Sequence, residues 1–220
     1  MGLRSQGSGS TYNRAMITIY HLSTSRSERI VWLMEELGLA YRLEVFAREP
    51  TGAAPAAMKE IHPLGKAPVI RDGDTILAES GAIVEYIVQR HGGGGLAVPV
   101  DSPDYPRYLY WIHFAEGSLM TLMLNALVLA RVPEAAQSAV KQRIDGRVKG
   151  MLAFVDGELA GRSYFVGEQL TAADVMMVFP FTTMRHFLPY DLSPYANVAA
   201  YLERIEARPA YRKAMALIRP

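Results

Sequence analysis

The sequence of 220 residues contains no cysteine. This absence excludes disulfides, zinc fingers, iron–sulfur clusters, thiol proteases and every mechanism in which the protein supplies its own thiol. A charge excess of one sign is also missing, since 23 basic residues oppose 22 acidic ones and the formal net charge is +1. Phosphate backbones and anionic membrane surfaces attract a cationic excess that this chain lacks. We therefore expect no nucleic acid and no membrane among its partners.

Long apolar runs and targeting signals are also absent. The longest apolar stretch, residues 119–130, includes Thr121 and Asn125 and falls short of the roughly 20 residues that cross a bilayer. It predicts a buried helix. Residues 1–15 are polar and lack the apolar region of a secretory signal, so we expect a flexible leader and a cytoplasmic protein. Half of the residues are hydrophobic and a fifth are charged, which is typical of a globular chain.

The first half of the sequence predicts a βαβ unit. Residues 16–20 are apolar and partly β-branched, as in a buried strand, and residues 41–45 alternate apolar with charged side chains. Between them, apolar residues recur at helical spacing at Ile30, Leu33, Met34 and Leu37. Gly38 ends this pattern, and a helical crossover places the two strands parallel.

A hairpin and a helix complete this half. After a loop with a short helix around residues 55–61, the Asp72-Gly73 pair predicts a tight turn with positive φ at both positions, between strands at 68–70 and 75–77. Apolar residues at 83, 84, 87 and 88 predict a helix, which the glycine run at 92–95 ends.

The second half predicts helices only. One long apolar helix is indicated over residues 105–130, followed by helices over 140–159, 171–184, 194–207 and 210–217. Thr171 and Asp174 fit a capping box, in which each side chain satisfies a free backbone N–H at the start of a helix. The sequence thus predicts an α+β unit followed by an all-α unit.

Four segments in this arrangement resemble the cytosolic glutathione S-transferases, in their serine-type, bacterial or theta-like form. They are Ser-Arg-Ser-Glu-Arg at 25–29, Pro-Leu-Gly-Lys-Ala-Pro-Val at 63–69, Ala-Glu-Ser-Gly-Ala-Ile at 78–83 and Leu-Thr-Ala-Ala-Asp at 170–174. The resemblance implies a thioredoxin-like glutathione-binding domain at 16–95, a linker at 96–104 and an all-helical bundle at 105–220 that shapes the electrophile site. It also implies a homodimer, and glutathione as co-substrate without a metal.

Ser25 is the predicted catalytic residue. Local pattern alone also allows an N-cap, because Ser25 and Glu28 fit Ser-x-x-Glu. The resemblance instead assigns the thiolate-stabilising hydroxyl to Ser25, four residues before Arg29, with Ser23 and then Thr24 as alternatives. No general base is apparent in the sequence, so we expect this hydroxyl to donate a hydrogen bond rather than act as a nucleophile.

The resemblance also assigns four glutathione-binding residues. Ala67 precedes Pro68, for which the resemblance implies a cis bond, and it would pair through its backbone with the cysteinyl part of glutathione. Glu79 and Ser80, just before a helix, would take the ammonium and carboxylate of the γ-glutamyl group. Lys66 would take the glycyl carboxylate.

Arg48 and His62 are lesser candidates for glutathione binding. The electrophile pocket is expected along the long helix, at Tyr108, Trp111, His113, Glu116 and Met120. No metal-binding spacing occurs among the five histidines. The function implied is activation of the glutathione thiol for attack on electrophilic or peroxide substrates. Alternatives are a glutathione-dependent isomerase or dehalogenase, and a non-catalytic binding protein on the same fold.

Overall fold

A computed structural model describes residues 16–218, and the predicted leader at 1–15 lies outside the described residues. The first part of the chain forms a four-stranded mixed sheet in the order β2-β1-β3-β4. Its strands are β1 (Ile17–Leu22), β2 (Tyr41–Phe46), β3 (Val69–Asp72) and β4 (Thr75–Ala78). Three helices belong to this part: α1 (Glu28–Glu36), α2 (Met58–Ile61) and α3 (Ser80–Arg90).

The predicted βαβ unit is confirmed. Strands β1 and β2 run parallel, with Ile17 opposite Tyr41, and α1 connects them. The apolar face of α1 is completely buried and includes Trp32. After α1, Gly38 adopts a φ of +63°, a conformation that glycine reaches without a steric penalty.

The hairpin is present, but its predicted turn is wrong. Strands β3 and β4 pair with Asp72 opposite Thr75, so the two turn residues are Gly73 and Asp74 rather than Asp72 and Gly73. Only Gly73 has a positive φ, of +58°. A two-residue hairpin needs a single positive φ when glycine occupies its first turn position, which leaves Asp72 free to extend the strand.

The second part of the chain is helical, as predicted. Its main helices are α4 (Tyr105–Phe114), α5 (Thr121–Ala130), α6 (Ala139–Leu159), α7 (Ala172–Phe181), α8 (Ala196–Ala207) and α9 (Pro209–Ile218). The predicted single helix over 105–130 is continuous, but a π-helical segment at Ala115–Met120 separates α4 from α5. By length and composition these 26 residues would suffice to span a bilayer. In the fold, α4 packs against α7, and α5 packs against α6.

The capping box at the start of α7 is confirmed. The Asp174 carboxylate accepts hydrogen bonds from the backbone N–H groups of Thr171 and Phe165, at 2.8 and 3.0 Å. It also accepts one from the Thr171 hydroxyl. Asp174 is completely buried, and burial raises its pKa to about 6 while these hydrogen bonds act in the opposite direction. The box therefore ties the 165–171 segment to α7.

Helix α1 joins the sheet part to the helical part. It packs against both α7 and α9. The Thr183 hydroxyl donates a 2.6 Å hydrogen bond to the buried Glu28 carboxylate. The guanidinium of Arg29 pairs with Glu116 from the π-helical segment. The start of α1 is thus tied to the π-helical segment and to the segment that follows α7.

Candidate active site

Two connected depressions lie where the β1–α1 loop faces the helical part. The main cleft has a volume of about 500 Å³, and the side groove has a volume of about 40 Å³. Four residues line both: Arg26, Leu64, Lys66 and Ala67. Ser25 lines the main cleft, and Glu79 and Ser80 line the side groove. All five predicted site residues therefore lie in one continuous surface.

Ser25 belongs to a buried chain of hydrogen-bonding side chains. Its Oγ lies 2.7 Å from the Oγ of Ser27, which lies 2.8 Å from Nδ1 of His21. Ser27 and His21 are almost completely inaccessible to solvent, while Ser25 is 7% exposed and reaches the cleft. Burial lowers the pKa of His21 to about 4, and its Nε2 atom has no hydrogen-bond partner within the described chain. The imidazole is therefore neutral at physiological pH.

The helix-capping alternative for Ser25 is not the arrangement observed. The N-cap of α1 is Ser27, and its side chain makes no capping bond. The Ser25 Oγ instead accepts a 3.3 Å hydrogen bond from the backbone N–H of Ser27. Its hydroxyl therefore lies between Ser27 and the cleft.

The alternative hydroxyls differ from Ser25 in position. Ser23 does not line the main cleft, and its hydroxyl donates to the backbone oxygen of Phe46. Thr24 lines the cleft, but its hydroxyl donates to the backbone oxygen of Ser23 at 2.7 Å.

Arg48 shapes the loop that carries Ser25. Its guanidinium donates to the carbonyl oxygens of Ser23, Thr24 and Gly52, at 2.8 to 3.0 Å. Thr24 has a φ of +51°, which is uncommon for a residue with a side chain. Such strain persists where the surroundings hold it, and the two bonds from Arg48 to the carbonyl oxygens of Ser23 and Thr24 supply that support.

The segment at 66–68 lies beside Ser25 in the cleft wall. The Ala67–Pro68 peptide bond is cis, as expected. The Ala67 backbone N–H and C=O make no hydrogen bond to any other residue of the described chain. Lys66 is exposed and has no ion pair within residues 16–218. Both residues therefore present unused donors and acceptors to the cleft.

Glu79 and Ser80 form the far wall of the side groove. Glu79 precedes α3 and has a φ of +74°, in the region that side chains other than glycine seldom adopt. Ser80 is buried at the first position of α3, where backbone N–H groups lack helical partners. The groove thus places a carboxylate next to the positive end of a helix. His62 also lines this groove.

The prediction for the electrophile pocket is mostly wrong, because most of the residues named for it lie elsewhere. Of the five residues predicted on the long helix, only Met120 lines the main cleft. Trp111 is fully buried in an aromatic cluster, Tyr108 is buried, and His113 lines a separate surface depression. Glu116 instead pairs with Arg26 and Arg29.

The helical side of the cleft lies further along the chain than predicted. It consists of Met120, Leu124, Leu127, Arg131, Phe179, Met184 and Phe187. Residues 120, 124, 127 and 131 recur at intervals of three or four, so they share one helical face. This periodicity was visible in the sequence, but it could not show which face of an apolar helix meets the sheet part.

Glu116 pairs with two arginines, of which Arg26 lines the main cleft and Arg29 does not. Arg29 is completely buried, and the Cζ atom of its guanidinium lies 5.2 Å from the centre of the Phe179 ring. Burial acts to raise the pKa of Glu116, but the charges of Arg29 and Arg26 outweigh it, so the pKa is lowered and the carboxylate is ionised. Across residues 16–218, no group of three potential metal ligands is present.

Comparison with known proteins agrees with this arrangement. The family model described as "Glutathione S-transferase, N-terminal domain" matches residues 19–95. The model described as "Glutathione S-transferase, C-terminal domain" matches residues 119–209. Together these matches span the sheet part and most of the helical part.

Similar proteins cover nearly the whole chain. Glutathione S-transferase 3 of Schizosaccharomyces pombe is 36% identical over 210 residues, which cover 90% of this chain and 86% of that protein. Glutathione S-transferase 1 of Saccharomyces cerevisiae is 29% identical, over 89% of this chain and 92% of that protein.

Solved structures show the same fold. A glutathione S-transferase from Actinobacillus pleuropneumoniae superposes with a TM-score of 0.84 at 38% identity, over 92% of this chain and 93% of that one. A sphingomonad glutathione S-transferase complexed with glutathione has a TM-score of 0.73 at 25% identity, over 91% and 98% of the two chains. The fold, the family models and these relatives together show that the chain belongs to the glutathione S-transferase family.

Proposed function

We propose that this transferase activates the thiol of glutathione for attack on electrophilic carbon or on peroxides, with Ser25 as the residue that stabilises the thiolate. The observation that carries the proposal is the location of the Ser25 hydroxyl. It lies in the wall of the main cleft, next to the surface formed by Lys66 and Ala67. A thiol placed there meets a hydroxyl donor and the start of α1.

The required stabilisation is within reach of such a site. A free thiol has a pKa of about 8.5, and lowering it by two units needs roughly 2.7 kcal/mol in favour of the thiolate. A hydrogen bond to a charged group contributes about 1.5 to 3 kcal/mol. The Ser25 hydroxyl and one further donor near the N-terminus of α1 are therefore enough.

The buried chain behind Ser25 would orient its hydrogen. When Ser27 donates to Ser25, the single Ser25 hydrogen is left to point into the cleft. A neutral His21 that carries its hydrogen on Nδ1 completes this chain of hydrogen bonds by donating to Ser27. All three hydrogen bonds then run towards the thiolate, and hydrogen bonds in such a chain strengthen one another. His21 is too weak a base to keep the thiol proton, which leaves to solvent.

The remaining groups would bind the tripeptide. The Glu79 carboxylate faces the ammonium of the γ-glutamyl group, and Ser80 with the free N–H groups of α3 faces its carboxylate. The backbone of Ala67 pairs with the cysteinyl part, and Lys66 takes the glycyl carboxylate. The sphingomonad relative was solved in complex with glutathione, which supports glutathione as the ligand of this fold.

The dimer, the location and the domain limits belong to the same proposal. We infer a cytoplasmic homodimer from family membership. Residues 16–95 would form the glutathione-binding domain, and residues 105–220 would form the helical domain that shapes the electrophile site. Residues 96–104 would link the two domains.

Glutathione binding and turnover test the proposal directly. Calorimetric titration with glutathione is expected to show binding below millimolar concentrations, and an aryl halide, an isothiocyanate or a hydroperoxide is expected to be turned over. Absence of binding at millimolar glutathione would favour a non-catalytic protein. Binding with turnover of only an isomerisation or dehalogenation substrate would favour the corresponding enzyme.

Ser27→Ala is expected to raise the pKa of the bound thiol by about one unit, because Ser25 loses the donor behind it. The value of kcat/KM should fall about fivefold at pH 6.5 and change little above pH 9, where the thiol ionises unaided. Binding of S-methylglutathione, which has no thiol to ionise, serves as the control and should not change. Equal losses at both pH values would show a structural defect instead.

Glu79→Gln is expected to weaken glutathione binding about tenfold, because the γ-glutamyl ammonium loses its charged partner. The value of kcat at saturating glutathione should stay within about twofold, since Glu79 does not contact the thiol. Glu60→Gln, which removes an exposed carboxylate from α2, is the matched control. A fall in kcat with unchanged affinity would contradict this role of Glu79.

A further inference from the structure

The main cleft carries an excess of positive charge. Four cationic side chains line it: Arg26, Arg48, Lys66 and Arg131. Among the described residues that line the cleft there is no Asp or Glu. Glu49 and Glu134, the acidic residues nearest in sequence to Arg48 and Arg131, are not part of its lining. The cleft therefore favours anionic ligands.

Three of these cations already have roles. Arg26 is paired with Glu116. The Arg48 guanidinium is held by backbone carbonyls of the β1–α1 loop and by Gly52, and it lies 5.6 Å from the ring of Phe187. Lys66 takes the glycyl carboxylate under the proposed function.

Arg131 is the cation without a role. It is exposed, and its guanidinium makes no ion pair or hydrogen bond to any residue of the described chain. It is the C-cap residue of α5, where a positive charge interacts favourably with the helix dipole. That interaction does not require the side chain to line the cleft.

Arg131 ends the apolar wall of the cleft. Met120, Leu124 and Leu127 lie on the same helical face and form a wall about 10 Å long at the helical rise of 1.5 Å per residue. Arg131 follows one turn later, about 6 Å beyond Leu127. Phe179 and Met184 add further apolar side chains to the lining of the same cleft. The cleft thus offers an apolar slot of aromatic length with a guanidinium at one end.

We propose that the electrophile is an apolar, aromatic-sized molecule that bears a carboxylate at the end remote from its reactive carbon, and that Arg131 binds this carboxylate. The inference rests on the proposed function, because it assigns the space beside Ser25 to the electrophile. The sulfur of the glutathione thiolate forms a bond to the reactive carbon, and the leaving group departs with the electrons of its own bond.

A matched pair of substrates tests the proposal. The anion para-(chloromethyl)benzoate and the neutral para-(chloromethyl)benzamide have the same benzylic carbon, and both release chloride when the thiolate attacks. Wild-type protein is expected to prefer the acid, and Arg131→Gln should lower kcat/KM for the acid about fivefold to tenfold, with the amide unchanged within twofold. Arg131→Lys should recover part of the preference. Arg147→Gln removes an exposed charge from α6 and is the control.

Several outcomes would overturn the proposal. One is an equal effect of Arg131→Gln on acid and amide, and another is a preference that does not weaken with added salt. Weaker binding of S-methylglutathione by Arg131→Gln would show that the arginine serves the tripeptide instead. The proposed function fails only if the aryl halide, the isothiocyanate and the hydroperoxide are not turned over either. If neither benzylic substrate is turned over, calorimetry with the S-(para-carboxybenzyl) and S-(para-carbamoylbenzyl) conjugates of glutathione tests the anion site independently of turnover. A preference for the carboxy conjugate that Arg131→Gln removes supports the anion site, and equal affinities refute it.

Discussion

Ser25→Ala is expected to lower kcat by 10- to 1000-fold while the affinity for glutathione stays within a few-fold. The hydroxyl stabilises the thiolate and the transition state that follows from it, so its loss corresponds to roughly 1.4 to 4 kcal/mol of activation free energy. The tripeptide keeps its contacts with Lys66, Ala67, Glu79 and Ser80 under the proposed function. Steady-state kinetics with an aryl halide, together with calorimetry, measure both quantities.

Ser23→Ala is the matched control for this prediction. Its hydroxyl donates to the backbone oxygen of Phe46 and does not line the cleft, so kcat should change by less than about threefold. If Ser23→Ala abolishes turnover and Ser25→Ala does not, the catalytic assignment is wrong. A loss of glutathione affinity in Ser25→Ala as large as the loss in kcat would make Ser25 a binding residue instead.

Glu116→Ala is expected to destabilise the fold by about 3 kcal/mol, because it removes the carboxylate that pairs with the buried Arg29 guanidinium. Arg29 is completely inaccessible, and its Nε and Nη2 atoms have no hydrogen-bond partner in the described chain. Glu116 itself is partly exposed, which places the loss at the lower end for a buried pair. Urea unfolding followed by circular dichroism measures the free energy of unfolding.

The double variant Arg29→Met with Glu116→Leu is the control for the ion pair. It removes both charges and is expected to lose less stability than Glu116→Ala alone.

The stability of the fold in acid gives a second check on this ion pair. The pKa of Glu116 lies below its usual 4.5, so its ion pairs contribute stability above that pH, and this contribution is lost as the pH falls through the lowered pKa. Glu116→Gln should therefore flatten the stability profile below pH 4.5.

Local patterns predicted the parts of the fold that local interactions determine. The βαβ unit was predicted from two strand-like patterns of apolar residues on either side of one amphipathic helix. The Thr171–Asp174 capping box was predicted because its two residues lie three positions apart and can bond each other's backbone N–H groups. The turn after Asp72 was mispredicted because the glycine sits at the first turn position rather than the second. The register of β3 against β4 decides this, and a dipeptide signal does not contain that register.

The residues on the helical side of the cleft were not predicted, because contacts between residues distant in the sequence determine which of them face it. Glu116 was expected to face the electrophile, but it pairs with Arg26 and Arg29, about 90 residues earlier in the chain. The helix that carries it is apolar around most of its circumference, so hydropathy could not show which face meets the sheet part. The π-helical segment at Ala115–Met120 further shifts the faces of α4 and α5 relative to each other, since its backbone bonds span five residues instead of four.

The buried chain of Ser25, Ser27 and His21 was also missed from the sequence, although all three residues lie within seven positions. His21 alternates with apolar residues in β1, and Ser27 belongs to a polar cluster that predicts a loop. A histidine facing inward from a strand directly before a serine-rich helix start is the signal that could have indicated it. Packing of α9 near His21 closes the site, and that contact is visible only in the folded chain.

The proposed role of Ser25 is to lower the pKa of the glutathione thiol in the bound complex. Thiolate absorbance near 240 nm, followed against pH for the glutathione complexes of wild-type protein and Ser25→Ala, measures this pKa. We predict a value about two units below the 8.5 of a free thiol in the wild-type complex, and a rise of about one unit or more towards 8.5 in Ser25→Ala, where only the further donor near α1 remains. This role would be contradicted by a bound thiol that titrates near 8.5 in wild-type protein, or by a lowered pKa that is unchanged in Ser25→Ala.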